Sequence, residues 1–391
     1  MEWHFVKYRP DETTRDPIVG EFFSTDAIEN PAQALVREGI QNALDACNEK
    51  PVHVRIYCGN LTKKSQVSYW LNGAWEHYSA PKNGLGNLPE KESELSFLVF
   101  EDFGTTGLQG NVEQAFDNPD TKNSFFYFFR AEGRSGKSEQ DRGRWGVGKY
   151  VFPRASRIST LFALTVRADD KKRFLMGRSI LKSRWVNNEY YSPDGYLGIK
   201  DGNDKPILPV SENEVLDRFC SDFNLRRNGE SGLSIVVPYT ENDITVDNIH
   251  KAVMEDYFYP ILKGDLTVTI ESGENVIEIN SATLKSLSLA MGLDNFSSIV
   301  QLAEWSLNQE NGHYELNPCN GKRPVWSNDL IPADILPKIR SRFDNGEFLS
   351  VKAMLNIRQK DDTEIPSHFM IYLKQGKNDG RPLFIREGII I

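Results

Sequence analysis

The chain has 391 residues, 39% hydrophobic and 26% charged, with a formal net charge of −9. That length suits two or three domains with a sizeable core, and the acidic balance argues against a chain built mainly to coat nucleic acid. No apolar run reaches membrane-span length, Met-Glu-Trp-His-Phe is not a signal peptide, and Cys47, Cys58, Cys220 and Cys319 have neither metal-ligand spacing nor a disulfide framework, which points to a reducing cytoplasm.

Asn30-Pro31 is a helix start, with Asn as the cap and Pro in the first turn; the helix it opens is expected to run to about residue 48. It carries Glu38-x-x-x-Asn42-Ala43-x-Asp45-Ala46. Residues four apart share one helix face, so Glu38, a possible general base, stands beside Asn42, a neutral oxygen ligand for a hard cation. Residues 52–58 read as a strand, with 66–71 as its hairpin partner. The apolar run 95–100 reads as a buried strand and ends in Glu101-Asp102-Phe103-Gly104-Thr105-Thr106-Gly107. Residues 111–116 suggest a short helix. The aromatic cluster 124–129 fits a strand.

Ala131-Glu-Gly-Arg-Ser-Gly136-Lys137-Ser138 nearly matches a P-loop, but the polar, glycine-broken segment after it is unsuited to the helix that a P-loop needs. Gly143-Arg144-Trp145-Gly146-Val147-Gly148-Lys149 is a glycine-rich turn leading into a helix over 147–154. Its glycines let backbone N–H groups approach an anion, and a helix N-terminus favours phosphate. Strands are expected at 159–167 and 174–181, joined by the Asp169-Asp170-Lys171-Lys172 turn. A helix at 213–223 and a strand at 233–239 follow. Arg154, Arg157, Arg167, Lys171, Lys172, Arg173, Arg178, Lys182 and Arg184 make 154–184 basic, which suits solvated strand faces or else a DNA- or partner-facing surface.

Taken singly, each motif has an ordinary alternative: a solvated helix face, a strand-to-turn signal, a tight turn. In this order, Glu38-to-Ala46, Asp102-to-Gly107 and Gly143-to-Lys149 together resemble the GHKL, or Bergerat-fold, ATPases. The resemblance spans about residues 20–240 and is nearest the chaperone, MORC, MutL and topoisomerase branch. It implies an α+β fold: a two-layer sandwich of a mixed, mostly antiparallel sheet with helices on one face, then a second α+β domain. It implies ATP and Mg²⁺ as cofactors. Glu38 would polarise the attacking water and Asn42 would hold Mg²⁺, with Asp45 completing the motif. Asp102 would accept a hydrogen bond from the adenine amino group, and Gly104 and Gly107 would let the chain pass close to base and ribose. Gly146, Val147, Gly148 and Lys149 would cradle the phosphates, and Ser234 would set a hydroxyl near Asp102. The family's second motif is Asp-x-Gly-x-Gly; here two residues separate the glycines. Residues 131–148 would be the ATP lid, and 124–129 would become a helix before it. Residues 1–28 would be a dimerisation strap.

The resemblance sets the ATP-binding domain at 1–240 and a second domain at 241–391. There, helices are expected at 246–262, 297–307 and 333–343, and strands at 266–270, 276–279, 349–357, 368–373 and 383–391. Lys374 or Lys377 would reach back to the γ-phosphate; the alternative is a solvated hairpin turn. The apolar ending fits either a terminal strand or a chain that continues in a longer protein. The implied function is a slow ATPase, an ATP-gated homodimer serving a DNA-processing or antiviral defence complex. A chaperone-like ATPase acting on client proteins is the alternative. A histidine kinase fits poorly, since only 37 residues precede Glu38.

Overall fold

A computed structural model describes residues 1–17, 30–118, 120–131, 150–202, 205–291, 294–309, 312–318, 325–359, 363–376, 382–386 and 388–390. Its contacts divide the chain into two compact units, Met1–Tyr257 with Gly264–Asn280, and Phe258–Lys263 with Ser281–Ile391.

In chain order the first unit contains β1 (Glu2–Lys7), α1 (Pro31–Asp45), β2 (Val52–Leu61), α2 (Lys64–Leu71), α3 (Trp75–Tyr78), β3 (Leu95–Phe103), α4 (Ser124–Phe129), α5 (Val151–Arg154), β4 (Thr160–Val166), β5 (Arg173–Ile180), β6 (Arg184–Val186), β7 (Glu189–Gly198), α6 (Asn213–Asp222) and β8 (Gly232–Pro238). Most of α7 (Val246–Leu262) follows, then β9 (Leu266–Ser272) and β10 (Asn275–Ile279). One mixed sheet takes the order β1-β7-β5-β4-β8-β3-β2-β9-β10, with β6 on β7. Its pairs are antiparallel except β2 with β9. The fold class is therefore α+β.

β3 and β4 lie in the middle of the sheet, which is why their sequences are almost continuously apolar rather than alternating. Alternate residues of β3 serve opposite faces. Phe97 and Val99 join a core with Trp70 of α2, Trp75 of α3 and Phe219 of α6. Phe100 points the other way, against Gly39 of α1 and Phe152 of α5. Helices thus cover both faces of the sheet, where the resemblance implies one covered face.

Other differences have local causes. Residues 66–71 belong to a helix, not a hairpin strand. Val67, Trp70 and Leu71 are all buried at helical spacing, and both Gln66 and Trp70 donate to Asp222, at 2.6 and 2.8 Å. Residues 111–116 form no helix; the Asn123 side chain donates to the Asn111 carbonyl and to Gln114, holding a loop. Residues 124–129 are a helix, because Asn123 caps the Phe126 N–H at 2.8 Å. Strands β9 and β10, placed by the sequence in a second domain, extend the first unit's sheet: the register runs Val52↔Leu266 to Cys58↔Ser272. Residues 2–7 of the expected strap pair with β7 of the same chain, and 18–29 lie outside the described residues.

The second unit holds α8 (Leu284–Ala290), α9 (Asp294–Leu307), β11 (Tyr314–Glu315), α10 (Leu336–Asp344), β12 (Leu349–Arg358), β13 (Glu364–Leu373), β14 (Ile385–Arg386) and β15 (Ile389–Ile390). Strands β11, β12 and β13 make a small sheet over a core of Leu316, Val351 and Ala353. The last expected strand is instead the short pair β14–β15, turning at Gly388 with φ +84°. Among the described residues no helix is long and apolar enough to cross a membrane.

Candidate functional site

Helix α1 begins at Asn30, whose side chain accepts the Gln33 N–H at 2.8 Å, with Pro31 next in line. Its buried face is Ala32, Leu35, Val36, Gly39, Ile40 and Ala43. A Cβ on Gly39 would lie 2.7 Å from the Phe100 ring, so the glycine sets how closely the helix approaches β3. Beside this stripe Glu38 is half-buried, while Asn42 and Asp45 are exposed. Tyr257 of α7 donates its hydroxyl to the Arg37 carbonyl. Burial, then the carboxylates of Asp256 and Glu38, raise that phenol well above its ordinary pKa, so it stays a donor next to Glu38.

The end of α1 is laced to the turn after β3. Asn48 and Glu49 donate their N–H groups to the Gly104 carbonyl at 2.8 and 2.9 Å, and Thr106 donates to the Ala46 carbonyl at 2.9 Å. Gly104 and Gly107 adopt φ of +76° and +66°, conformations that suit glycine. A Cβ at Gly104 would sit 2.7 Å from the Glu49 carbonyl oxygen, and one at Gly107 2.4 Å from that of Val166. What these two glycines admit at close range is the protein's own backbone.

Asp102 shares the Phe100 face of β3 and is 6% exposed. Its Oδ1 accepts from the Thr105 hydroxyl at 2.5 Å and from the Leu233 N–H at 2.8 Å. Among the described residues Oδ2 has no hydrogen-bond partner. Burial raises the pKa of this carboxyl; the Arg227 charge and the two donors oppose the rise. The result is a carboxylate fixed by one oxygen, with the other available to a donor.

Ser234 is not brought to that carboxylate. It pairs with Glu101 across the strands, and its side chain is on the Glu101 face. There its hydroxyl donates to Glu101 Oε1 at 2.9 Å and accepts from Arg227 Nε at 2.9 Å. The hydroxyl that meets the Asp102 carboxylate is that of Thr105. Thr105 was findable as a hydroxyl three residues beyond an aspartate at a turn. Arg227 is brought in by a distant loop, with no local signal.

No protein-family model matches this chain, and no curated protein matches it. Gly146, Val147, Gly148 and Lys149, the lid segment from 132 and the P-loop-like lysine Lys137 lie outside the described residues, as does Lys377. Lys374, in the second unit, holds its ammonium 4.3 Å from the Phe348 ring centroid. α5, which follows the glycine-rich segment in sequence, packs Phe152 against Phe100 with ring centroids 5.7 Å apart.

Among the described residues no cluster of three His, Cys, Asp or Glu could hold a metal. Asn42, exposed and with no side-chain hydrogen bond among them, suits the single protein ligand of a hard cation that keeps its waters and phosphates. The basic stretch 154–184 is largely consumed within the unit. Arg178 pairs with Asp194 at 2.9 Å, Arg173 with Asp217 at 2.8 Å and Arg167 with Asp169 at 3.1 Å. Arg184 is buried and donates to His77 Nδ1 at 3.0 Å.

Proposed function

We propose that this chain is a Mg²⁺-dependent ATPase of the GHKL type, an ATP-gated homodimer serving a DNA-processing or defence complex in the cytoplasm. One observation carries the reading. Asp102 is anchored through a single oxygen, on the sheet face where the Glu38–Asn42 helix and the helix after the glycine-rich segment both pack against Phe100.

On this reading Asp102 Oδ2 accepts the adenine amino hydrogen, and Asn42 offers its amide oxygen to Mg²⁺. Bound Mg²⁺ supplies charge neutralisation at the phosphates. Glu38 orients the attacking water, and Gly146, Val147, Gly148 and Lys149 hold the phosphates. Such a reaction needs positioning and electrostatic stabilisation rather than a covalent intermediate.

Calorimetry with ATP and phosphate release test the reading. Asp102→Asn is expected to lose adenine-nucleotide binding. Glu38→Ala is expected to bind ATP, stop turnover and sediment as a locked dimer. Absence of ATP binding by the wild type overturns the assignment. The second reading is an ATPase acting on a client protein, supported by the internal pairing of Arg167, Arg173 and Arg178. Salt-sensitive retention of DNA by the wild type would reject it in favour of the first.

A further inference from the structure

We infer that Arg227 is a positioning residue for Asp102: its guanidinium clips the carboxylate's backbone to β8 and places a positive charge behind it. The inference rests on the ATP-site reading of Asp102.

Arg227, in the loop between α6 and β8, is 5% exposed. Nη2 donates to the backbone carbonyls of Asp102, at 2.5 Å, and Leu233, at 3.0 Å. Nη1 donates to the Glu230 carbonyl at 3.0 Å, and Nε to the Ser234 hydroxyl at 2.9 Å. The planar group lies over the Phe103 ring, 4.6 Å from its centroid. The fork therefore joins residues 102 and 233, the same two that are joined by the Leu233 N–H to Asp102 Oδ1 bond. A Cβ at Gly232 would meet both Asp102 Oδ1 and Arg227 Nη1 at 2.7 Å, so only a glycine separates charge from carboxylate.

A neutral amide could staple carbonyls at this turn. Burying a guanidinium whose hydrogen-bond partners are all neutral is costly unless its charge is used. The nearby Glu101 already has its own cation: Arg55 Nη1 stands 2.7 Å from its Oε2. The Arg227 charge is thus left to act on Asp102. It opposes the burial that favours the protonated carboxyl, while Glu101 reinforces that burial; Glu230 and Cys220 are the other titratable groups facing Arg227. A protonated Asp102 would offer a poorer acceptor to an amino group.

ATP affinity measured calorimetrically from pH 5 to pH 8 tests this, on the wild type, Arg227→Gln, Arg227→Lys, Ser234→Ala and Asp102→Asn. Arg227→Gln is expected to weaken binding by about tenfold at pH 7 and to move the acid limb of the profile up by about one pH unit. Arg227→Lys keeps the charge and is expected to restore the limb while affinity stays reduced. Ser234→Ala, which frees Arg227 Nε and removes the hydroxyl donor to Glu101 but keeps the guanidinium charge, is expected to weaken binding without moving the limb, and it decides the matter with the lysine variant should Arg227→Gln fail to fold. Equal loss at every pH in the glutamine and lysine variants, or no loss in either, overturns the inference while wild-type binding that Asp102→Asn abolishes leaves the ATP reading standing. A wild type that binds no ATP removes both.

Discussion

Gly39 sits where α1 touches the sheet, and one methyl group tests that contact. A Cβ there would lie 2.7 and 2.9 Å from two atoms of the buried Phe100 ring. Gly39→Ala is expected to cost about 1–3 kcal/mol by overpacking, read in urea denaturation, and Phe100→Leu in the same chain should recover part of it. His77 gives a second test. Burial, then the Arg184 charge, lower its pKa from 6.5 to about 4. The unfolded chain therefore takes up a proton below pH 6.5 that the folded chain refuses until about pH 4. Its contribution is complete above pH 6.5 and is lost as pH falls through that window, by at most about 3 kcal/mol. Burial also lowers His4, His53 and His250, which adds to the slope. His77→Gln is expected to flatten the stability profile between pH 6.5 and pH 4; an unchanged slope would reject the assignment. At this scale Asn30-Pro31 and Asp102 were legible, because caps and strand ends have local signatures. Arg227 was not, because its role depends on carbonyls of two separate strands.

At the scale of elements, a buried charge network ties four strands together. Arg55 of β2 holds Glu101 of β3 and Glu271 of β9, each at 2.7 Å, and Glu101 also accepts from Ser234 of β8. Arg55→Met would take from buried Glu101 its cation and leave Glu271 only the exposed Arg226 at 3.0 Å, with an expected loss of about 3–5 kcal/mol in denaturant titrations. The triple replacement Arg55→Met, Glu101→Gln and Glu271→Gln should cost less than the single change, since it leaves no uncompensated charge. The helix 66–71 and the loop 111–116 mark where local reading failed. Val, Tyr and Trp favour strands, but burial at 67, 70 and 71 selected a helix. Asn123, a distant side chain, supplied the hydrogen bonds that keep 111–116 a loop.

At the scale of the whole molecule, the division of the chain differs from the boundary expected near residue 240. β9 pairs in parallel with β2, and Ile249, Val253, Met254 and Tyr257 of α7 are buried. A fragment of residues 1–280 is expected to melt cooperatively, whereas 1–240 should be strongly destabilised or aggregate through the bared edge of β2; thermal denaturation of the two separates the boundaries. The α+β class came from the resemblance of three motifs in order; the sequence by itself determined the buried strands around Leu95–Phe103 and Thr160–Val166, the capped helix with Glu38 and Asn42, and the aspartate at a strand end. Those features follow from periodicity, capping and apolar runs, which act over a few residues. Only the tertiary structure decided that helices cover both sheet faces, that β9 completes the first unit, that Ser234 turns away from Asp102 and that Arg227 stands behind it. Each depends on pairing between segments far apart in the chain, and local propensity carries no information about which strand edge or sheet face a distant residue will meet.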